Sequence, residues 1–111
     1  VYEVRDHVRV YETHGDLLFS GAEQVVRTVD REKDGFAAAI LDVSRVDDID
    51  DAARALLSGT SAALRADGKA GYLVDPGGIV IRNEREDGAT RYVTVEEAVA
   101  AAEAEMRRGG R

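Results

Sequence analysis

Apolar and polar side chains alternate from Val8 to Tyr11, with Val8 and Val10 set between Arg9 and Tyr11. A period of two puts one face of a β-strand on a core, so residues 2–12 read as one strand or a tight hairpin, closed by a Gly15-Asp16 turn. The short apolar run Leu17-Leu18-Phe19 is followed by Ser20-Gly21-Ala22-Glu23. That order matches a capping box, in which the Ser and the Glu each satisfy an amide at a helix start. A first helix is therefore expected to about Lys33. Ala22, Val25, Val26 and Val29 recur at helical spacing, leaving Glu23, Arg27, Asp30 and Arg31 for solvent.

The period then changes. Phe36 to Val43 is apolar until Asp42 and shows no amphipathic alternation, which predicts a central strand buried on both faces. The acidic stretch Ser44 to Asp50 reads as a loop. A second helix follows, with Ala53, Leu56, Leu57, Thr60 and Leu64 on one side and Gly68 as its stop. Ala70 to Val74 forms a further strand, ended by the turn signal Asp75-Pro76-Gly77-Gly78. Ile79 to Arg82 and Arg91 to Val93 are read as a hairpin about Asp87-Gly88. Thr94-Val95-Glu96-Glu97 repeats the capping box and opens a last helix, with Val95, Ala98, Val99, Ala102 and Met106 on one face. Strands alternating with helices define an α/β chain built by right-handed crossovers.

Length and charge narrow the picture. The 111 residues suffice for a single domain and not for two cores, so residues 1–111 are taken as one unit. A formal net charge of −7 leaves no surplus of cations to neutralise phosphates, which argues against nucleic acid and against direct contact with anionic membranes. The absence of cysteine removes disulfides, Cys-based metal sites and thiol nucleophiles. No apolar run approaches a spanning helix, and Val1-Tyr2-Glu3-Val4 has no signal-like character, so a cytoplasmic location is expected. A first residue that is Val and not Met suggests a domain cut from a longer protein.

Candidate chemistry is sparse. Gly68-Lys69 does not end a phosphate loop, because Ala63 stands at the leading glycine position and Ala70 follows the lysine. His7 and His14 lie near no nucleophile signature and are expected at the surface beside turns. Asp42, Asp47, Asp48, Asp50 and Asp51 are the one concentration of like charge, yet their spacing fits no EF-hand. Asp50 or Asp51 is instead expected to cap the second helix, where its neighbours favour the positive end of the helix dipole. No metal, no cofactor and no catalytic residue is assigned, and nucleotide binding has no support in the sequence.

The stretch Ala39-Ile40-Leu41-Asp42-Val43-Ser44-Arg45-Val46-Asp47-Asp48-Ile49-Asp50-Asp51-Ala52-Ala53 resembles the core of STAS domains, the family of sulfate-transporter and anti-sigma-factor-antagonist modules. The segment from His14 to Glu23 is similar to one found in STAS domains of sulfate permeases. Ala66-Asp67-Gly68-Lys69 and Thr94 to Ala98 sit where the family has its Gly-Lys turn and final helix. The resemblance covers nearly the whole chain. It implies a mixed central sheet flanked by about three to four helices, and a domain that binds partners without catalysing a reaction. Residues 77–91 depart from the pattern and predict a variant edge. Anti-sigma antagonists carry a phosphorylatable Ser or Thr where this chain has Asp51, so the switch is expected to be absent.

Among STAS domains, those appended to actinobacterial glutaminases resemble the chain most, in Gly15 to Val25 and in Asp42 to Asp47. Such enzymes use a Ser-x-x-Lys nucleophile, but Lys33 and Lys69 are preceded three residues earlier by Asp30 and Ala66. The resemblance therefore implies an accessory domain whose parent would hydrolyse glutamine. A transporter's cytosolic domain is the alternative, and a stand-alone anti-sigma antagonist the third. The partner would be a protein domain or subunit. It is expected on Ser44, Asp47, Asp48, Asp50 and Asp51, and on a helix stripe of Arg54, Ala55, Ser58, Ala62 and Arg65.

Overall fold

The chain enters as a hairpin, β1 (Tyr2–Arg5) antiparallel to β2 (Val8–Leu17), turned about His7 at φ 65. A computed structural model describes residues 2–5, 7–80 and 91–110. The His7 carbonyl accepts the amides of Ala37 and Ala38 at 2.7 and 3.1 Å, which locks the hairpin turn to the entry of the next strand. α1 (Phe19–Glu32) follows, with a single 3-10 turn at Lys33–Gly35, then β3 (Ala38–Ile49), α2 (Asp51–Ala66), β4 (Ala70–Val74), β5 (Arg91–Tyr92) and α3 (Val95–Gly110). The five strands form one mixed sheet in sequence order, parallel from β2 onward.

Period two in the strands divides the core into two layers. Tyr11, Ala39, Leu41, Val43 and Leu73 face α1 and α2, where they meet Ala22, Val29, Ala53, Leu57 and Leu64. Val8, Val10, Ala38, Ile40, Tyr72 and Val74 face the other way, against Ala98, Val99 and Ala102 of α3. Both faces of β3 are thus covered, as its unbroken apolar run predicts. Burying Leu57 and Leu64 contributes about 1.5–3 kcal/mol each, enough to fix which side of α2 turns inward.

Four local expectations are corrected. Gly15-Asp16 is no turn: Gly15 takes φ 70 inside β2, which continues to Leu17. α1 starts at Phe19 with Leu18 as its N-cap, and no side chain of that cap bonds the helix, so Ser20 and Glu23 do not act as its capping box. The stretch Ser44 to Ile49 is not a loop but the second half of β3, because the long β2 supplies a partner for it. Register shifts at Glu12/His14 and Gly15/Asp16 place extra residues on β3, and such bulges erase the clean alternation that marks a strand. Finally, Arg91 and Tyr92 pair in parallel with Leu73 and Val74 instead of closing a hairpin on Ile79 and Val80. Ile79 and Val80 give their amides to the two oxygens of buried Asp75, each at 2.9 Å. Ile81, Arg82 and the Asp87-Gly88 turn lie outside the described residues.

The second capping box holds, with a shift of one residue. Thr94 Oγ1 accepts the Glu97 amide at 3.1 Å, while Glu97 Oε1 accepts from Val93 at 3.0 Å.

Candidate docking surface

Every helix that follows a parallel strand starts at the same end of the sheet, so α1 and α2 begin side by side. Asp50 joins them. As N-cap of α2 its Oδ1 accepts the Ala53 amide at 2.7 Å, and its Oδ2 accepts the Phe19 amide at 3.2 Å. The carboxylate thereby satisfies one free donor of each helix and lies where both helix dipoles are positive. Of the two capping candidates, Asp50 is the cap. Asp51 is the first residue of α2, its side chain 95% exposed and bound to Arg54 at 2.5 Å.

The other expected site residues separate into two groups. Ser44, Asp47 and Asp48 are exposed on the far half of β3, and Ala55 and Ala62 are exposed on α2. Arg54 departs from the outward stripe: its side chain is 18% exposed and its Nε donates to the Ile79 carbonyl at 2.8 Å, pinning the turn after β4 onto α2. Ser58 is half-buried, and its hydroxyl donates back to the Ala55 carbonyl at 3.2 Å. Arg65 reaches Glu105 of α3 at 3.2 Å. The two arginines are thus held by the fold.

What remains uncovered on α2 is narrower and flatter than the sequence suggested. Ala52, Ala55, Gly59, Ala62, Ala63 and Ala66 are all exposed and recur at helical spacing. Gly59 was missed; the signal was a glycine in mid-helix with no turn to serve. A Cβ there would meet nothing within 4 Å. Two large apolar side chains, Leu18 and Phe19, stand 55% and 44% exposed where α1 begins, beside Asp50.

The opposite end of the sheet is closed by polar contacts. Glu32 accepts from the Tyr11 hydroxyl at 2.7 Å and from Arg9 at 3.3 Å. The Tyr11 hydrogen bond, then Arg9, holds the Glu32 carboxyl below its usual range, and burial followed by the Glu32 bond pushes the Tyr11 phenol up to about 12. Lys33 bridges Asp67 and Asp30 at 2.9 and 3.1 Å. Tyr72 donates to Glu105, which also takes Arg65, and that carboxyl is lowered chiefly by the Tyr72 bond. These groups brace elements against one another. Beside α1, an open groove of about 210 Å³ is lined by Tyr11, Glu12, Gly21, Gln24, Val25 and Thr28, with no pair of acid and base converging in it. Among the described residues no three His, Asp or Glu side chains come together as metal ligands.

Two helices on one face of a mixed sheet and a third on the other make a three-layer α/β module. The STAS domain model matches residues 1–102, and the chain belongs to that family, whose domains are generally non-catalytic. The fold is shared with a sulfate transporter family protein from Wolinella succinogenes, at TM-score 0.73 and 19% identity over 93% of this chain and 90% of that one. It is likewise shared with the phosphorylated form of the Bacillus cell fate determinant SpoIIAA, at TM-score 0.71 and 19% identity over 90% and 95%. A segment of Mglu is similar at 33% identity and TM-score 0.58, covering 64% of this chain but only 18% of that one. No curated protein matches the sequence significantly. Among the described residues no helix is long and apolar enough to cross a membrane.

Proposed function

We propose that this domain is a non-catalytic docking module of a longer cytoplasmic protein, a glutaminase, and that it binds another domain or subunit through α2 and the end of β3. The observation that carries the reading is the bare ridge of α2. Glycine inside a helix costs roughly 0.5–1 kcal/mol relative to alanine. Among the described residues nothing calls for it at position 59, since a Cβ would have open space around it. A backbone approaching from outside would use the missing side chain, and the exposed alanines at 55 and 62 extend the same shallow floor.

The glutaminase parent rests on the likeness of Gly15 to Val25 and Asp42 to Asp47 to domains appended to such enzymes. It also gains from the Mglu match, in which a segment of this build occupies a small part of a much longer chain. A second reading, the STAS domain of a sulfate-type transporter, draws on the similarity to the Wolinella succinogenes protein over 93% of the chain. A long hydrophobic segment encoded upstream would favour it. The anti-sigma reading is weaker, because Asp51 has no hydroxyl to phosphorylate.

The test is a titration of this domain against the remainder of its parent protein. Ala55→Arg and Ala62→Arg place a long side chain on the ridge without touching the core. Each is expected to weaken assembly at least about tenfold by steric exclusion while circular dichroism stays native. Unchanged affinity in both variants overturns the docking surface.

A further inference from the structure

The end of the sheet where β2 and β3 run out carries three carboxylates that no ion pair among the described residues reaches. Asp16 and Asp48 are register partners on neighbouring parallel strands, so both side chains leave the same face one strand spacing apart. Both are exposed, as is Asp47. Like charges placed opposite each other on a sheet repel. No described ion pair reaches any of the three, and Asp48 accepts only the Ile49 amide, at 2.9 Å. Arg45, paired in register with His14 on the same ribbon, is exposed and bridges to none of them.

Directly after Asp16 come Leu17, which is buried, and the exposed Leu18 and Phe19. The Phe19 amide bonded to Asp50 holds this apolar pair at the start of α2, next to the carboxylates. Surface hydrophobics scattered singly carry no meaning, but an adjacent pair rimmed by uncompensated charge of one sign has the anatomy of an interface.

We propose that this end of the molecule docks a basic protein segment, which sets an apolar side chain against Leu18 and Phe19 and its cations against Asp16, Asp47 and Asp48. The proposal rests on the docking reading above and names the chemistry of the partner. Anionic lipid and nucleic acid are repelled by the same carboxylates. A divalent cation would need a third ligand, and among the described residues no such group of three forms.

The probe is a fluorescent amphipathic peptide of lysines and leucines, titrated into the domain by anisotropy at low and at physiological salt. Binding is expected to weaken with salt. It is expected to weaken further by about tenfold in the double variant Asp16→Asn/Asp48→Asn and by a similar factor in Phe19→Ser. The double variant Asp30→Asn/Asp34→Asn removes the same charge at the far end of α1 and is expected to leave affinity within about twofold. Circular dichroism verifies that each variant is folded; should Phe19→Ser not fold, Leu18→Ser takes its place. An equal loss in the far-end control, or no loss in Asp16→Asn/Asp48→Asn, overturns the proposal. If Ala62→Arg breaks assembly with the parent while the aspartate and Phe19 variants bind the peptide normally, the docking reading stands and the basic partner falls.

Discussion

The two ends of the sheet treat their polar groups in opposite ways. Where the parallel strands begin, several charges have partners within the fold: Arg9 with Glu32, Lys33 with Asp30 and Asp67, Arg65 with Glu105. Lys69 adds a bond to the Phe36 carbonyl at 2.9 Å. Where the strands end, Asp16, Asp47 and Asp48 are exposed with no ion pair among the described residues, and Leu18 and Phe19 lie open beside them. The first end contributes to stability and presents little for another molecule to satisfy. The three carboxylates of the second contribute little to stability, which frees them to be read from outside.

The largest effect should come from an open-end acid that ties two helices together. Asp50→Ala removes the cap of α2 and the acceptor of the Phe19 amide together. A loss of about 2 kcal/mol in unfolding free energy is expected from urea denaturation. A loss below roughly 0.5 kcal/mol would mean that the two helix starts do not depend on this carboxylate.

At the closed end, Tyr11→Phe deletes one hydrogen bond to a charged acceptor and is expected to cost about 1–2 kcal/mol in the same assay. The wild-type phenol offers a sharper readout. Its value near 12 in the fold exceeds the ordinary value of 10, so the folded state holds this proton more tightly than the unfolded chain does. Its stabilising contribution is complete below pH about 10 and is lost as pH rises through about 12. Ultraviolet titration of tyrosinate should show a late-ionising group that disappears in Tyr11→Phe.

Acid should act on the same end with the opposite sign. The Glu32 and Glu105 carboxyls are lowered in the fold, by the Tyr11 and Tyr72 hydrogen bonds first. Their contribution is present above the ordinary carboxylate range and fades as pH falls through the folded values. The double variant Glu32→Gln/Glu105→Gln should therefore lose stability less steeply between neutral and acid pH than the wild type, followed by thermal unfolding. A slope as steep as the wild type's would contradict this assignment.

The smallest change is expected at the open end. Asp47→Asn/Asp48→Asn should alter unfolding free energy by less than about 0.5 kcal/mol, with any shift toward higher stability because Asp16 loses a like-charged neighbour. A substantial destabilisation would show that these carboxylates serve the fold after all.

Much of the architecture was legible where packing and pattern agree. α2, β4 and α3 follow their hydrophobic spacing almost to the residue, since each buries one well-marked face. The two halves of β3 differ for a physical reason. Ala38 to Val43 is buried on both faces and reads as a strand from composition alone. Ser44 to Ile49 belongs to a two-stranded ribbon that extends past β4, where one side meets solvent and two bulges break the period. Its four polar residues resemble a loop until the length of β2 is known. The start of α1 was misread similarly, because Ser20 and Glu23 have the right spacing for a cap while the helix begins two residues earlier, tied by Asp50 from a distant part of the chain. On the candidate surface, spacing located Asp51, Ala55 and Ala62, but it could not reveal that Ile79 and Glu105 occupy Arg54 and Arg65. Those contacts depend on elements 25 and 40 residues away.

Hydrogen–deuterium exchange on the domain, alone and with the remainder of its parent protein, tests the docking account most directly. Slowed exchange on binding is expected to concentrate in α2 and residues 44–50, with the Arg9–Glu32 and Tyr72–Glu105 end unchanged. Protection confined to α3 and the start of the sheet, with α2 unaffected, would contradict it.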